Sequence, residues 1–377
     1  METRKYASLV AVVQEHLAGR DSVARDLLAG LVDGQLQPGR PEDLRYFIFA
    51  SALSRRLQSD KSAEINLYLR QYEKTQIALF NLLAEHLPTV AMAGPLANEV
   101  LARFVGGHDE VTLLDVGIGS GRQEVALVHL LAQRGTLPRK LNVVAVEPDA
   151  GSLLEASFSL GEAAEALGFE LDFHPVHKLV EDLDEADWAE FASFGAPLVV
   201  LSAFAVHHVR SAPERRTRDR LFHRLRELQP DAVVLCEPSS NHDTPDLMER
   251  FQAAWHHFGL TFGLIDALDV DEPQKAAMKM FFAREIDDIV ANAEETRCER
   301  HEPVDRWVHR MREAGFEPYP ELEAFQGRES GGVRVRARDG YLGLDHGDET
   351  LVAIVCATPG VLAGIGAPHS VELEAVA

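Results

Sequence analysis

The segment Leu113-Leu-Asp-Val-Gly-Ile-Gly-Ser-Gly121 constrains this chain more than any other. An apolar run that stops at three glycines spaced G-x-G-x-G reads as a buried strand turning into a helix. The next apolar run, Val143-Val-Ala-Val, ends in Glu147. Strand, glycine turn, helix, strand and terminal acid, in that order, describe a nucleoside pocket at the strand ends of an open α/β sheet. Glycine tolerates positive φ and lets a ligand approach the backbone, so Gly117, Gly119 and Gly121 form the expected cradle.

The neighbours narrow the ligand. A dinucleotide fingerprint wants its third glycine where this chain has Arg122, and it holds pyrophosphate on the helix N-terminus. Asp115 in the mouth of the turn would repel phosphate but suits a ligand carrying an ammonium and a sulfonium. S-adenosylmethionine meets that description and is the expected cofactor, while NAD is disfavoured. Glu147 is placed to accept hydrogen bonds from a ribose diol. Val176 is expected to back the adenine ring, and Ser202 to reach the cofactor's methionine part.

Strand–helix alternation continues from residue 111. The expected strands are 111–116, 141–147, 169–174, 197–203, 231–237, 332–337 and 350–357, with helices at 121–134 and 150–167. Residues 5–110 carry helical periodicity, seen in Leu9, Val12, Val13 and Leu17 and later in Tyr68, Tyr72 and Phe80. The expected fold is α/β: a Rossmann-like doubly wound sheet of the class I methyltransferase type. It has seven strands, one of them an antiparallel edge strand, and a helical cap. The expected division is a helical cap subdomain over 1–108 and an α/β core over 109–358. A helical insertion at about 243–316 completes the cap, and 359–377 form a flexible tail.

Charge and cysteine usage bound the setting. The formal charge of −23 argues against nucleic-acid and anionic-membrane partners, despite the local cluster Arg215, Arg216, Arg218 and Arg220. No apolar run approaches the length of a membrane span, and the first 16 residues lack a signal-peptide core. Cys236, Cys298 and Cys356 are widely spaced, form no metal pattern and point to a reduced, cytoplasmic compartment. The expected partner is a small-molecule substrate; a homodimer is left open.

Met280-Phe-Phe-Ala-Arg-Glu-Ile-Asp-Asp-Ile-Val290, Glu299-Arg-His-Glu302, Trp307 and Arg310 to Phe316 resemble the Arg-Glu and Glu-Arg-His-Glu segments of the GRAS-domain family, known from plant regulators and also found in bacteria. Glu237 to Phe258 resembles the segment that precedes them, and Ala50–Leu57 and Gly94–Gln123 resemble the leucine-rich and central motifs. The resemblance implies a methyltransferase-like core under a helical cap. Plant members usually lack most of the turn glycines. Their retention here suggests an active cofactor site and a bacterial-type member. Cys356-Ala-Thr358 stands where the family usually has Ser-Ala-Trp.

Methyl transfer needs alignment, exclusion of water and sometimes a base. His207 and His208, after the fourth strand, are the candidate bases because imidazole titrates near neutrality. Glu237, Asn241 and His242 follow the fifth strand at the pocket rim and are candidate substrate contacts. Arg284, Glu285 and His301, on the expected cap, complete that set. His174 and His177 lack further ligands, so no metal site is expected. The glycine–serine spacing at 117–121 forms no nucleophile elbow. The reading is an S-adenosylmethionine-dependent methyltransferase acting on oxygen or nitrogen of a small molecule. The alternative is a non-catalytic ligand sensor or protein-interaction module of the GRAS type.

Overall fold

The structure is a computed structural model that describes residues 2–58, 76–195, 197–210 and 217–360. Tyr68, Tyr72, Arg215, Arg216 and nearly all of the expected tail lie outside the described residues. The described helices are α1 (Glu2–Leu17), α2 (Asp21–Gly34), α3 (Leu44–Arg56), α4 (Gln76–His86), α5 (Pro88–Val105), α6 (Arg122–Gln133), α7 (Ala150–Leu167), α8 (Glu185–Ser193), α9 (Thr217–Glu227), α10 (Leu247–Asp266), α11 (Glu272–Ala291) and α12 (Val304–Glu313). None is long and apolar enough to cross a membrane.

The parallel part of the sheet contains β1 (Glu110–Val116), β2 (Lys140–Val146), β3 (Glu170–Val176), β4 (Leu198–Ala203) and β5 (Ala232–Pro238). The antiparallel part contains β6 (Phe316–Pro318), β7 (Glu329–Ser330), β8 (Val333–Arg338), β9 (Tyr341–His346) and β10 (Glu349–Pro359). The sheet runs β3-β2-β1-β4-β5-β10-β9-β8-β7, and β6 pairs with β10. The mixed α/β architecture matches the expectation, but the seven-strand layout with one antiparallel edge strand does not. β10 sits inside the sheet between β5 and β9, so the antiparallel end is a small meander of its own.

Strands β1, β2, β4 and β5 are nearly continuous apolar runs because both faces are covered. Leu113, Val143, Leu201 and Val234 share a core with Leu9, Phe47, Val100, Leu127, Leu160, Phe251 and Ile289. Leu114, Val144, Val200 and Leu235 face the other way, onto Trp188, Phe222 and Trp307. On α12, Val304, Trp307, Val308 and Met311 recur at i, i+3, i+4 and i+7 and form its buried stripe. Asp246 caps α10 by accepting from the Glu249 N–H at 2.8 Å. These helix starts fix the segments around the ends of β4 and β5, where most of the candidate side chains lie.

Candidate functional site

The glycine turn has the backbone the spacing predicts: Gly117, Gly119 and Gly121 all have positive φ, and Gly121 is the N-cap of α6. The turn is also tightly held. A Cβ at Gly117 would lie 2.4 Å from the Cβ of Ala205, so the β1 turn closes directly against the loop after β4. Ser202 strengthens that closure by donating to the Val116 carbonyl at 2.8 Å. Gly119 faces open space.

The two acids of the turn are engaged by the protein. Glu147 accepts from the Gly119 N–H at 3.1 Å with one oxygen and from the Asp149 N–H at 3.0 Å with the other. Asp115 is buried beneath the turn beside Glu124 of α6. Burial first, and the neighbouring Glu124 second, push the Asp115 carboxyl well above the usual carboxylate range. That shift disfavours the charged form that the sequence reading aims at a cation. Val176 ends β3 and offers its carbonyl to the Glu147 N–H at 3.1 Å.

The structure gathers most of the remaining candidates into one buried cluster. Glu237 is fully buried at the end of β5. It accepts from the Ala205 and Val206 N–H groups at 3.2 and 2.8 Å and from His207 Nδ1 at 2.6 Å. Burial pushes His207 down to about 4, with His208 adding to the shift, so its ring is neutral at physiological pH. His208 is half-exposed, its Nδ1 3.2 Å from Glu299 Oε1. His242 and His301 are buried and meet through their Nδ1 atoms at 2.9 Å, and Ser240 Oγ lies 2.9 Å from His242 Nε2. Glu285, on α11, has an oxygen 3.8 Å from His301 Nε2. Burial, with Glu299 nearby, pushes the Glu285 carboxyl well above its ordinary value.

Two candidates stand apart from that cluster. Asn241 donates to Glu249 at 2.7 Å, and Arg284 is exposed on α11. Asn241 lines a cleft of about 450 Å³ with Ser239, His257, Tyr341 and Thr350. His174 and His177 are occupied separately, one 3.1 Å from Asp172 and the other 2.8 Å from the Pro148 carbonyl.

Sequence reasoning missed the residues that bind the cluster together. Arg297 is buried and donates to the carbonyls of His242 at 2.6 Å and Asp243 at 2.9 Å, and to Glu294. Asp288 accepts from the N–H groups of Cys298 and Glu299, both at 2.7 Å. Glu299 and His301 lie two apart in the loop before α12, and their side chains meet, His301 Nε2 3.6 Å from Glu299 Oε2. That spacing was the available signal.

His257 next to this cluster offers a pH test. Burial pushes its ring down to about 3, below the unfolded value of 6.5. The folded chain then stays unprotonated while the unfolded chain takes up a proton, so this contribution is whole above pH 6.5 and is lost as pH falls towards 3. Carboxyls raised in the fold oppose that trend, so the difference between two proteins is the clean readout. Between pH 6.5 and 5, His257→Gln is expected to gain about 2 kcal/mol on the native chain in urea unfolding. An unchanged difference would show that His257 is protonated in the fold.

The sequence matches the GRAS domain family over residues 6–342. The chain belongs to the GRAS domain family. DELLA protein RGL3 of Arabidopsis thaliana is 27% identical over 318 residues, covering 81% of this chain and 60% of the relative. Scarecrow-like transcription factor PAT1 of Arabidopsis thaliana is 27% identical over 291 residues, covering 72% and 59%. The structure of SCL7 from Oryza sativa has a TM-score of 0.72 and 21% identity, covering 94% of this chain and 99% of that one. The chain spans about half the length of several curated relatives it matches.

These likenesses correct the functional expectation. The relatives of this GRAS chain carry the names of DELLA, Scarecrow-like and transcription-factor proteins, not of enzymes. Methyltransferases of solved structure resemble it at TM-scores of 0.32 to 0.40, too slight a likeness to carry an activity. The methyltransferase assignment and the narrower bacterial-type, methyltransferase-like membership therefore lose their support. So does the partner expectation of a small-molecule substrate with nucleic acid excluded, given a relative named as a transcription factor.

Proposed function

We propose that this GRAS chain is a non-catalytic protein-interaction module that works within transcription regulation. The observation that carries the reading is the state of Glu237. Both of its oxygens are spent on the chain's own groups, two backbone N–H groups and the His207 ring. The best-placed candidate base is thus part of the framework that joins β4, β5 and the inserted helices. A base must reach the proton it removes; the one free nitrogen of His207, Nε2, is buried and faces Glu299 at 3.5 Å rather than an open pocket.

The partner face is proposed on α7. Leu154 and Phe158 lie four residues apart and are 73% and 66% exposed, the two most exposed large apolar side chains among the described residues. Glu155, Glu162 and Glu165 are exposed around them. Apolar anchors ringed by acids suit a protein segment with apolar side chains flanked by lysine or arginine.

Turnover gives the first test. The purified chain, incubated with methyl-labelled S-adenosylmethionine and a small-molecule cell extract, is expected to leave the label on the donor. Label recovered in an acceptor, above a heat-denatured control, would overturn the non-catalytic reading.

A further inference from the structure

The strongest unexplained feature is a set of facing lone pairs inside the buried cluster. His207 Nδ1 donates to Glu237, which leaves His207 Nε2 as an acceptor. That nitrogen faces Glu299 Oε2 at 3.5 Å. His301 Nε2 lies 3.6 Å from the same oxygen. Both distances are too long for a hydrogen bond, and Glu299 Oε2 and His301 Nε2 are buried polar atoms with no hydrogen-bond partner. Such atoms cost stability unless something satisfies them.

We propose that His207, Glu299 and His301 bind a divalent zinc ion. Their ligand atoms all lie within 4.8 Å of one another. Zinc bonds to nitrogen and oxygen of about 2.0–2.1 Å make tetrahedron edges of about 3.3–3.4 Å. The two short edges here, 3.5 and 3.6 Å, need only a slight contraction. Two imidazoles and a carboxylate are a donor set that suits zinc. The outer contacts fit as well. Glu237 holds the far nitrogen of His207, and His242, backed by Ser240, holds the far nitrogen of His301. The Glu285 carboxyl group, 3.8 Å from His301 Nε2, stands beside the fourth position. Glu299 is partly exposed, which gives the ion a way in.

The ion clips the loop segment at 297–302 to the loop after β4. This inference does not rest on the interaction role and survives its failure.

The test uses the full chain, stripped with a chelator and titrated with zinc chloride against a competing metal indicator. One ion per chain is expected, with dissociation in the submicromolar range and a raised Tm. Glu299→Gln and His301→Gln should each weaken binding at least about thirtyfold, since each removes one of three ligands. His177→Gln, away from the cluster, should leave it unchanged. Cobalt in place of zinc should show tetrahedral visible bands that the Glu299→Gln variant loses. Because Glu299 reaches the surface, that variant keeps the test decisive if His301→Gln does not fold. No zinc binding by the native chain would overturn the proposal, as would binding that neither cluster variant alters.

Discussion

Glu302→Ala is expected to lower the unfolding free energy by about 3–5 kcal/mol, read from urea titration of the full chain. Glu302 is fully buried and receives Arg218 at 2.6 Å and Arg310 at 2.7 and 2.8 Å. Arg310 reaches out to Asp219, but Arg218 is 1% exposed and lies over the Trp307 ring. Removing the carboxylate strands the Arg218 cation, whose other carboxylate neighbour, Asp243, is 3.5 Å away. An uncompensated buried charge is the costly case; the intact pair adds much less than its loss removes. Glu302→Gln, which keeps one acceptor oxygen, should cost clearly less. Equal stability of the alanine variant and the native chain would mean that water reaches Arg218.

Glu237→Ala is the second large effect, again about 3–5 kcal/mol. It orphans the buried Val206 N–H and the His207 ring and weakens the Ala205 N–H. Each unsatisfied buried donor costs about 1–3 kcal/mol. Glu237→Gln is expected to keep most of the stability, because its amide oxygen can still serve the two backbone donors. Its amide N–H₂ would reverse the His207 tautomer, putting a proton on Nε2. Nitrogen NMR of the imidazole separates the two states: Nδ1-protonated in the native chain, Nε2-protonated in the variant. A native ring protonated on both nitrogens at neutral pH would contradict the proposed framework.

The parts of the fold legible in the sequence were those set by strong, local patterns. Strands β1, β2, β4 and β5 announce themselves as Val/Leu runs because they are covered on both faces. The turn at Gly117–Gly121 was legible from its glycine spacing together with the strand before it and the helix after it, and its positive φ values follow. β6 and β7, at three and two residues, are too short to carry a period. β9 is broken in pattern by Gly343, whose missing side chain leaves room for Arg338 and Asp345. These strands are what turned the expected single antiparallel edge strand into a five-stranded antiparallel end.

The site was legible as names but not as chemistry. His207, Glu237, His242, Glu285 and His301 were all singled out, and they do converge. Burial decides what they do, and burial is a property of the packed whole. Asp115 reads from the sequence as a charge in a pocket mouth, yet it lies buried under the turn beside Glu124, where its charged form is disfavoured. His207 reads as a base poised near neutrality, yet packing holds it near 4. The expectation of no metal rested on local spacing. The proposed ligands come from residues 207, 299 and 301, which only the crossover connections bring together.

The most direct measurement of the interaction role compares crosslinked capture by the native chain with capture by Leu154→Glu/Phe158→Glu. Both side chains are exposed, so the double variant should unfold within about 0.5 kcal/mol of the native chain. The account predicts that a component of the transcription machinery, bearing a basic and apolar segment, is enriched by the native chain and falls at least about tenfold with the variant. Equal capture by both, with the fold of each intact, would contradict it.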